Sequence, residues 1–160
     1  MSEERQRIVN ITLDEKSVVR RNADIEHERK VAVFDLLDAN TFTLKDHPDA
    51  GPYSLHLSIE DNRLIFDIRA EDDATELGRV PLPVISFRRI IKDYFQICES
   101  YFDAIKSASP SKIEAIDMGR RGLHNEGTEQ LLDRIKDKID TDFDTARRLF
   151  TLICVLHIRG

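Results

Sequence analysis

Hydrophobic residues recur at every second position through much of the first half of the chain and at every third or fourth position through the second. Val9, Ile11 and Leu13 alternate with polar neighbours, as do Leu55, Leu57 and Ile59, and then Leu64, Phe66 and Ile68. Such alternation turns one face of a strand to a core and the other to water. Asp61-Asn62 stands between the last two runs and suits a tight turn, so the pair reads as a hairpin. A third run around Leu77, Val80 and Leu82 follows the acidic loop at 71–73. Pro81 and Pro83 cannot donate to a ladder, which makes that run an edge strand. One helix interrupts the strands: Asp24 is placed to cap a segment running to about Asp38 that buries Ile25, Ala32, Val33, Leu36 and Leu37 at helical spacing.

The second half reads as helical. Phe87, Ile90, Ile91, Tyr94, Phe95, Cys98, Tyr101, Phe102 and Ile105 form the clearest amphipathic stripe in the chain. Ser109-Pro110 ends that helix and opens another, helped by a capping box at Ser111 and Glu114. Gly127 is suited to terminate the new helix after about Asn125, and Thr128 to cap a further one through Lys138. Thr141 and Asp144 open the last helix. Its stretch 149–158 is apolar on almost every side and so belongs at the centre. The expected architecture is α+β in one domain over 1–160. A strand-rich part, 1–83, holds a small antiparallel sheet with one helix. A helical part, 84–160, holds four helices around the C-terminal one.

Composition narrows the function classes. A length of 160 residues with 41% hydrophobic side chains gives a substantial core, and no apolar run approaches the roughly 20 residues a bilayer span needs. A net charge of −6 opposes a general grip on DNA, and no membrane partner is expected. The charge is uneven: residues 1–86 carry 11 basic and 18 acidic side chains, residues 87–160 carry 13 and 12. The second half can therefore present a local basic site. Cys98 and Cys154 lie in apolar helical runs and read as reduced core thiols of a cytoplasmic protein, without a disulfide. Metal-ligand spacings and nucleotide-binding glycine loops are missing, so neither a metal nor a cofactor is expected.

One segment is chemically unusual. Gly119, Gly122 and Gly127 crowd into nine residues, although a mid-helix glycine costs about 1 kcal/mol relative to alanine. Ala115, Gly119 and Gly122 stack on one helical face, a strip that lets another backbone approach closely. Asp117, Arg120, Arg121 and His124 share a different face, with Asn125 and Glu126 beside them at the expected helix end. Two guanidiniums offer planar forks for phosphate or carboxylate, and an imidazole can exchange a proton near neutrality. The bland reading is a charge network that ties helices together. Other charged groups read as solvated faces: Glu26-His27-Glu28-Arg29 as an exposed first turn, and Arg88, Arg89, Lys92 and Asp93 along the long helix. Arg147, on the side of Phe143 and Phe150, would need a carboxylate if buried, with Asp117 or Glu114 as candidates.

Several stretches carry a family resemblance: RRIIKDYF at 88–95, ICESY at 97–101, PSKIEAIDMGRRGLHNEG at 110–127, DFDTARRLF at 142–150, and the ending from Cys154 through Gly160. Together with Glu26-His27-Glu28-Arg29, Phe34-Asp35-Leu36-Leu37 and Gly51-Pro52-Tyr53, they resemble uncharacterised protein family 0262 of alphaproteobacteria. The resemblance covers nearly the whole chain. It implies a small bacterial cytoplasmic protein and no established activity.

Three functions compete. The first is a binding or regulatory protein in which Asp117, Arg120, Arg121, His124, Asn125 and Glu126 hold a small anionic ligand or an acidic partner surface. The second is a metal-independent ribonuclease. Arg120 and His124 are similar to the arginine–histidine helix signature of the HEPN superfamily, which implies that His124 acts on the ribose hydroxyl while Arg120 steadies the phosphate. The pair stands closer together here than in that signature, and RNA enters as a partner only through this reading. The third is an interaction subunit, with Ala115, Gly119 and Gly122 as the contact and a second copy of the chain as one partner that fits.

Overall fold

A computed structural model describes residues 5–14 and 23–156, excluding the side chains of 23–25. The elements in order are β1 (Ile8–Leu13), α1 (Ala23–Asp38), β2 (Phe42–Leu44), β3 (Tyr53–Glu60), β4 (Arg63–Ala70), β5 (Glu76–Pro83), α2 (Ile85–Ser107), α3 (Pro110–Ile135), β6 (Ile139–Thr141) and α4 (Phe143–Leu156). The class is α+β. The expected cap at Asp24, the burial of Ile25 and the end of the apolar run at His157-Ile158 lie outside the described residues.

The main sheet has the order β1-β3-β4-β5. Asp61 and Asn62 both take positive φ, 51° and 62°, and close the β3–β4 hairpin. Asn and Asp tolerate that region better than other residues with a side chain, which is why this dipeptide sets the register. Leu55 pairs with Ile68, Leu57 with Phe66 and Ile59 with Leu64, while Val80 and Leu82 of β5 continue the rows opposite Phe66 and Leu64. Apart from the buried Ile65 the opposite face is largely polar, with His56 across from Asp67 and Asp67 across from Arg79. β5 is one edge, with β1 the other, and Pro81 and Pro83 blunt the β5 edge.

Two features depart from the expected sheet. β1 joins β3 in parallel, so the sheet is mixed rather than wholly antiparallel. A parallel neighbour requires a long crossover, and here α1 and β2 lie within it. A bulge between Ile8 and Asn10 also shifts the alternation, so Ile8 and Leu13 are the buried residues of β1. The second departure is a separate two-stranded sheet of β2 and β6, which pins the start of α4 to the end of α1.

The helical half contains three helices among the described residues, where four were expected. Ser109 is the cap of α3, its Oγ accepting from Lys112 N at 3.3 Å, with Pro110 in the first turn; Ser111 is not the cap. The expected break at Gly127 does not occur, and α3 runs through it to Ile135. Gly127 serves packing. A Cβ there would overlap three carbons of the Phe150 ring, the farthest only 2.6 Å away. Thr128 sits inside the helix, its Oγ1 donating to His124 O at 2.8 Å. Asp142 rather than Thr141 caps α4, its Oδ1 accepting from Thr145 N at 2.8 Å. α4 lies at the centre as expected: Leu149, Phe150 and every residue from Leu152 to Leu156 are buried. One apolar core runs from Ile8 through the sheet and α2 to Leu156.

Candidate functional site

α1, α3 and α4, with Tyr94 of α2, line a cleft of about 580 Å³. Asp117, Arg120, Arg121 and His124 of α3 line one wall, as their shared helical face requires. α4 contributes Asp144, Arg147, Arg148 and Thr151. α1 supplies His27, Glu28, Val31, Ala32 and Asp35.

At the inner end the charges are interlocked. Arg120 forks onto Asp117 Oδ1, with Nε at 3.1 Å and Nη2 at 2.6 Å, and Glu28 stands 3.9 Å from its Nη1. Its Cζ also lies 4.7 Å above the Tyr101 ring. Burial is the largest single influence on Arg120 and would lower its pKa, but the Asp117 hydrogen bonds together with electrostatic interactions with Tyr94, Asp117 and Cys98 outweigh it, and the guanidinium is held charged. Asp117 is held below the usual carboxylate range by hydrogen bonds from Arg121 and then Arg120. Arg121 binds Asp117 Oδ2 through Nε at 2.9 Å and through Nη2, yet its side chain remains 61% exposed.

His124 is only 7% exposed. Tyr94 and Phe150 meet its ring edge-on, with centroids 5.2 and 5.3 Å away. Its Nε2 lies 2.7 Å from Thr151 Oγ1, and that hydroxyl donates to Arg147 O at 3.3 Å. A hydroxyl that donates onward accepts from the imidazole, so Nε2 carries the proton and Nδ1 is the bare nitrogen. Nδ1 is enclosed and has no hydrogen-bond partner among the described residues. Burial first, then the positive charges of Arg147 and Arg120, lower the pKa of His124 to about 4. The imidazole is therefore neutral near pH 7. Its two nitrogens are respectively occupied by Thr151 and walled in.

The outer end differs. Arg148 donates to Ala39 O at 3.0 Å, so part of its fork is spent on the end of α1. Arg147 is exposed, and among the described residues no carboxylate lies within 4 Å of it; Asp117 and Glu114 are not its partners. The other expected site residues fall elsewhere. Asn125 and Glu126 are exposed in mid-helix and do not line the cleft, because α3 continues past them. Ala115 and Gly122 are exposed, and nothing lies within 4 Å of a Cβ built on Gly122. Gly119 faces α2, where a Cβ would come within 2.7 Å of Ile97 Cδ1.

Sequence reasoning missed the α1 wall. The turn containing Glu28 was expected to be exposed, yet its carboxylate reaches Arg120. The signal was present: Glu28 stands four and eight residues before Ala32 and Leu36, both buried, and so lies on the inward stripe.

The fold and site define a small α+β protein with an arginine-rich cleft between its helices, and no helix among the described residues is long and apolar enough to cross a membrane. The chain belongs to the uncharacterised protein family UPF0262, which residues 5–159 match. It is 64% identical over 156 residues to a UPF0262 protein of Paramagnetospirillum magneticum, covering 98% of each chain. A UPF0262 protein of Mesorhizobium japonicum is 56% identical over 156 residues, covering 98% of this chain and 96% of the relative. One from Azorhizobium caulinodans is 55% identical over 154 residues, covering 96% and 95%. No solved structure matches the chain.

Proposed function

We propose that the protein binds a small ligand bearing an anionic group in the cleft between α1, α3 and α4. Arg147 is the principal contact, with Arg121 and Arg148 beside it. The observation that carries this reading is Arg147, an exposed residue lining a cleft of about 580 Å³, with no carboxylate within 4 Å among the described residues. That volume is within the usual range of small-molecule sites. Arg120 and Asp117 form the braced inner end, and His124 contributes a neutral wall. Glu28, Asp35, Asp117 and Asp144 line the same cleft. They balance the four arginines, so the ligand that fits has one anionic group flanked by hydrogen-bond donors and is not a polyanion.

The test is titration of the nitrogen-15-labelled protein with inorganic phosphate, acetate and glutamate, following backbone and arginine Nε signals. Saturable shifts confined to the cleft, lost in Arg147→Ala combined with Arg121→Ala, support the reading. Shifts that persist in that folded double variant, or the absence of cleft shifts with all three probes, overturn it.

A further inference from the structure

A second cleft, of about 540 Å³, lies between the β3–β4 hairpin and α2. Its apolar lining comes from Ile59, Val84, Ile91 and Phe95, and Arg88 and Lys92 line it as well. The exposed side of α2 continues it: Ile85, Arg88, Arg89 and Lys92 follow at steps of three, four and seven residues from the first, which places them on one stripe. Ile85 is 73% exposed. Among the described residues, no carboxylate lies within 4 Å of Arg88, Arg89 or Lys92. Among the described residues, Arg88 reaches only Asn62 Oδ1, at 3.4 Å. Glu99 lines the far end of the cleft, two turns beyond Lys92.

This arrangement is unfavourable for the isolated helix in three ways. Arg88 and Arg89 sit at the N-terminal end of α2, where the helix dipole favours acidic groups, and the first turn contains none. Arg88 and Lys92 repel each other at i,i+4. Ile85 is left in water beside them. Among the described residues these three cations stand unmatched next to an apolar groove.

We propose that this face of α2 docks an acidic segment of a partner protein. One large apolar side chain of that segment enters the groove on Ile59, Val84, Ile91 and Phe95, and its carboxylates meet Arg88, Arg89 and Lys92. Charge complementarity selects an acidic occupant. The apolar floor selects a polypeptide over a nucleic acid, because a phosphate backbone has nothing to place there and the stripe offers no exposed aromatic ring for base stacking.

Fluorescence anisotropy with short fluorescein-labelled peptides, rich in Glu and Asp around one central Leu or Phe, tests the assignment on the full chain. The acidic peptides bind saturably, and binding falls about tenfold or more when the central residue is Ala, when Lys replaces the acids, or when the protein carries Arg88→Glu with Lys92→Glu. Both substituted positions are exposed, and circular dichroism verifies that the variant folds. Arg147→Ala, on the other cleft, leaves peptide binding unchanged. Absence of saturable binding, equal binding of the Lys peptides, full binding by the charge-reversed variant, or tighter binding of a single-stranded RNA oligonucleotide each overturns the proposal.

Discussion

Two glycines of α3 respond to the same substitution with opposite signs. Alanine is worth about 1 kcal/mol over glycine inside a helix, partly because it restricts the unfolded chain. At Gly122 nothing lies within 4 Å of the added methyl. Gly122→Ala therefore stabilises by up to about 1 kcal/mol, a rise in Tm of roughly 2–4 °C for a chain this long. At Gly127 the methyl overlaps the ring of Phe150, which is completely buried, and three ring carbons lie within 2.6 Å of it. Either the ring leaves its place or α3 and α4 move apart, and overpacking of this kind costs about 1–3 kcal/mol or more. After subtracting the helical gain, Gly127→Ala destabilises by up to about 2 kcal/mol, a fall in Tm of up to roughly 8 °C. Gly119 falls between, because the Ile97 Cδ1 it would meet is the mobile end of a side chain. Urea unfolding of the three variants measures the order, and a cycle with Phe150→Leu isolates the contact. In a protein already carrying Phe150→Leu, the penalty of Gly127→Ala shrinks. Stabilisation by Gly127→Ala equal to that by Gly122→Ala would refute the argument that this glycine exists for the ring.

Further consequences follow from individual groups. His124 has a folded pKa of about 4 against an ordinary 6.5, so between those values the unfolded state binds more protons than the folded one. Its contribution is fully present above pH 6.5 and is lost as pH falls toward 4, a span of roughly 3 kcal/mol. Unfolding measured from pH 5 to 7 shows this slope in the wild type and a flatter one in His124→Asn; parallel profiles would contradict it. Cys98, raised to about 11 by burial and then by Glu28, and Cys154, raised by burial, remain thiols at neutral pH. A thiol reagent reacts with neither in the native protein and with both after denaturation. Asp142→Ala removes the cap of α4 and costs about 1 kcal/mol by urea unfolding.

Period-two and period-four patterning made the α+β class, the β3–β4 hairpin, the proline-blunted edge and the central C-terminal helix legible. Each rests on which residues must leave water, and neighbouring residues already encode that. The shared face of Asp117, Arg120, Arg121 and His124 was legible for the same reason, since helical geometry alone aligns them. Only the tertiary structure decided that α3 passes through Gly127, because a glycine that ends a helix and one that admits a ring look identical until Phe150 is in place. The same holds for the direction of β1, which depends on the path of the crossover, and for the division of the cleft into a braced end and an open one. Glu28 on α1 and Arg147 on α4 lie far from Arg120 in sequence, and which charges are neutralised depends on distances of a few ångströms that only packing sets.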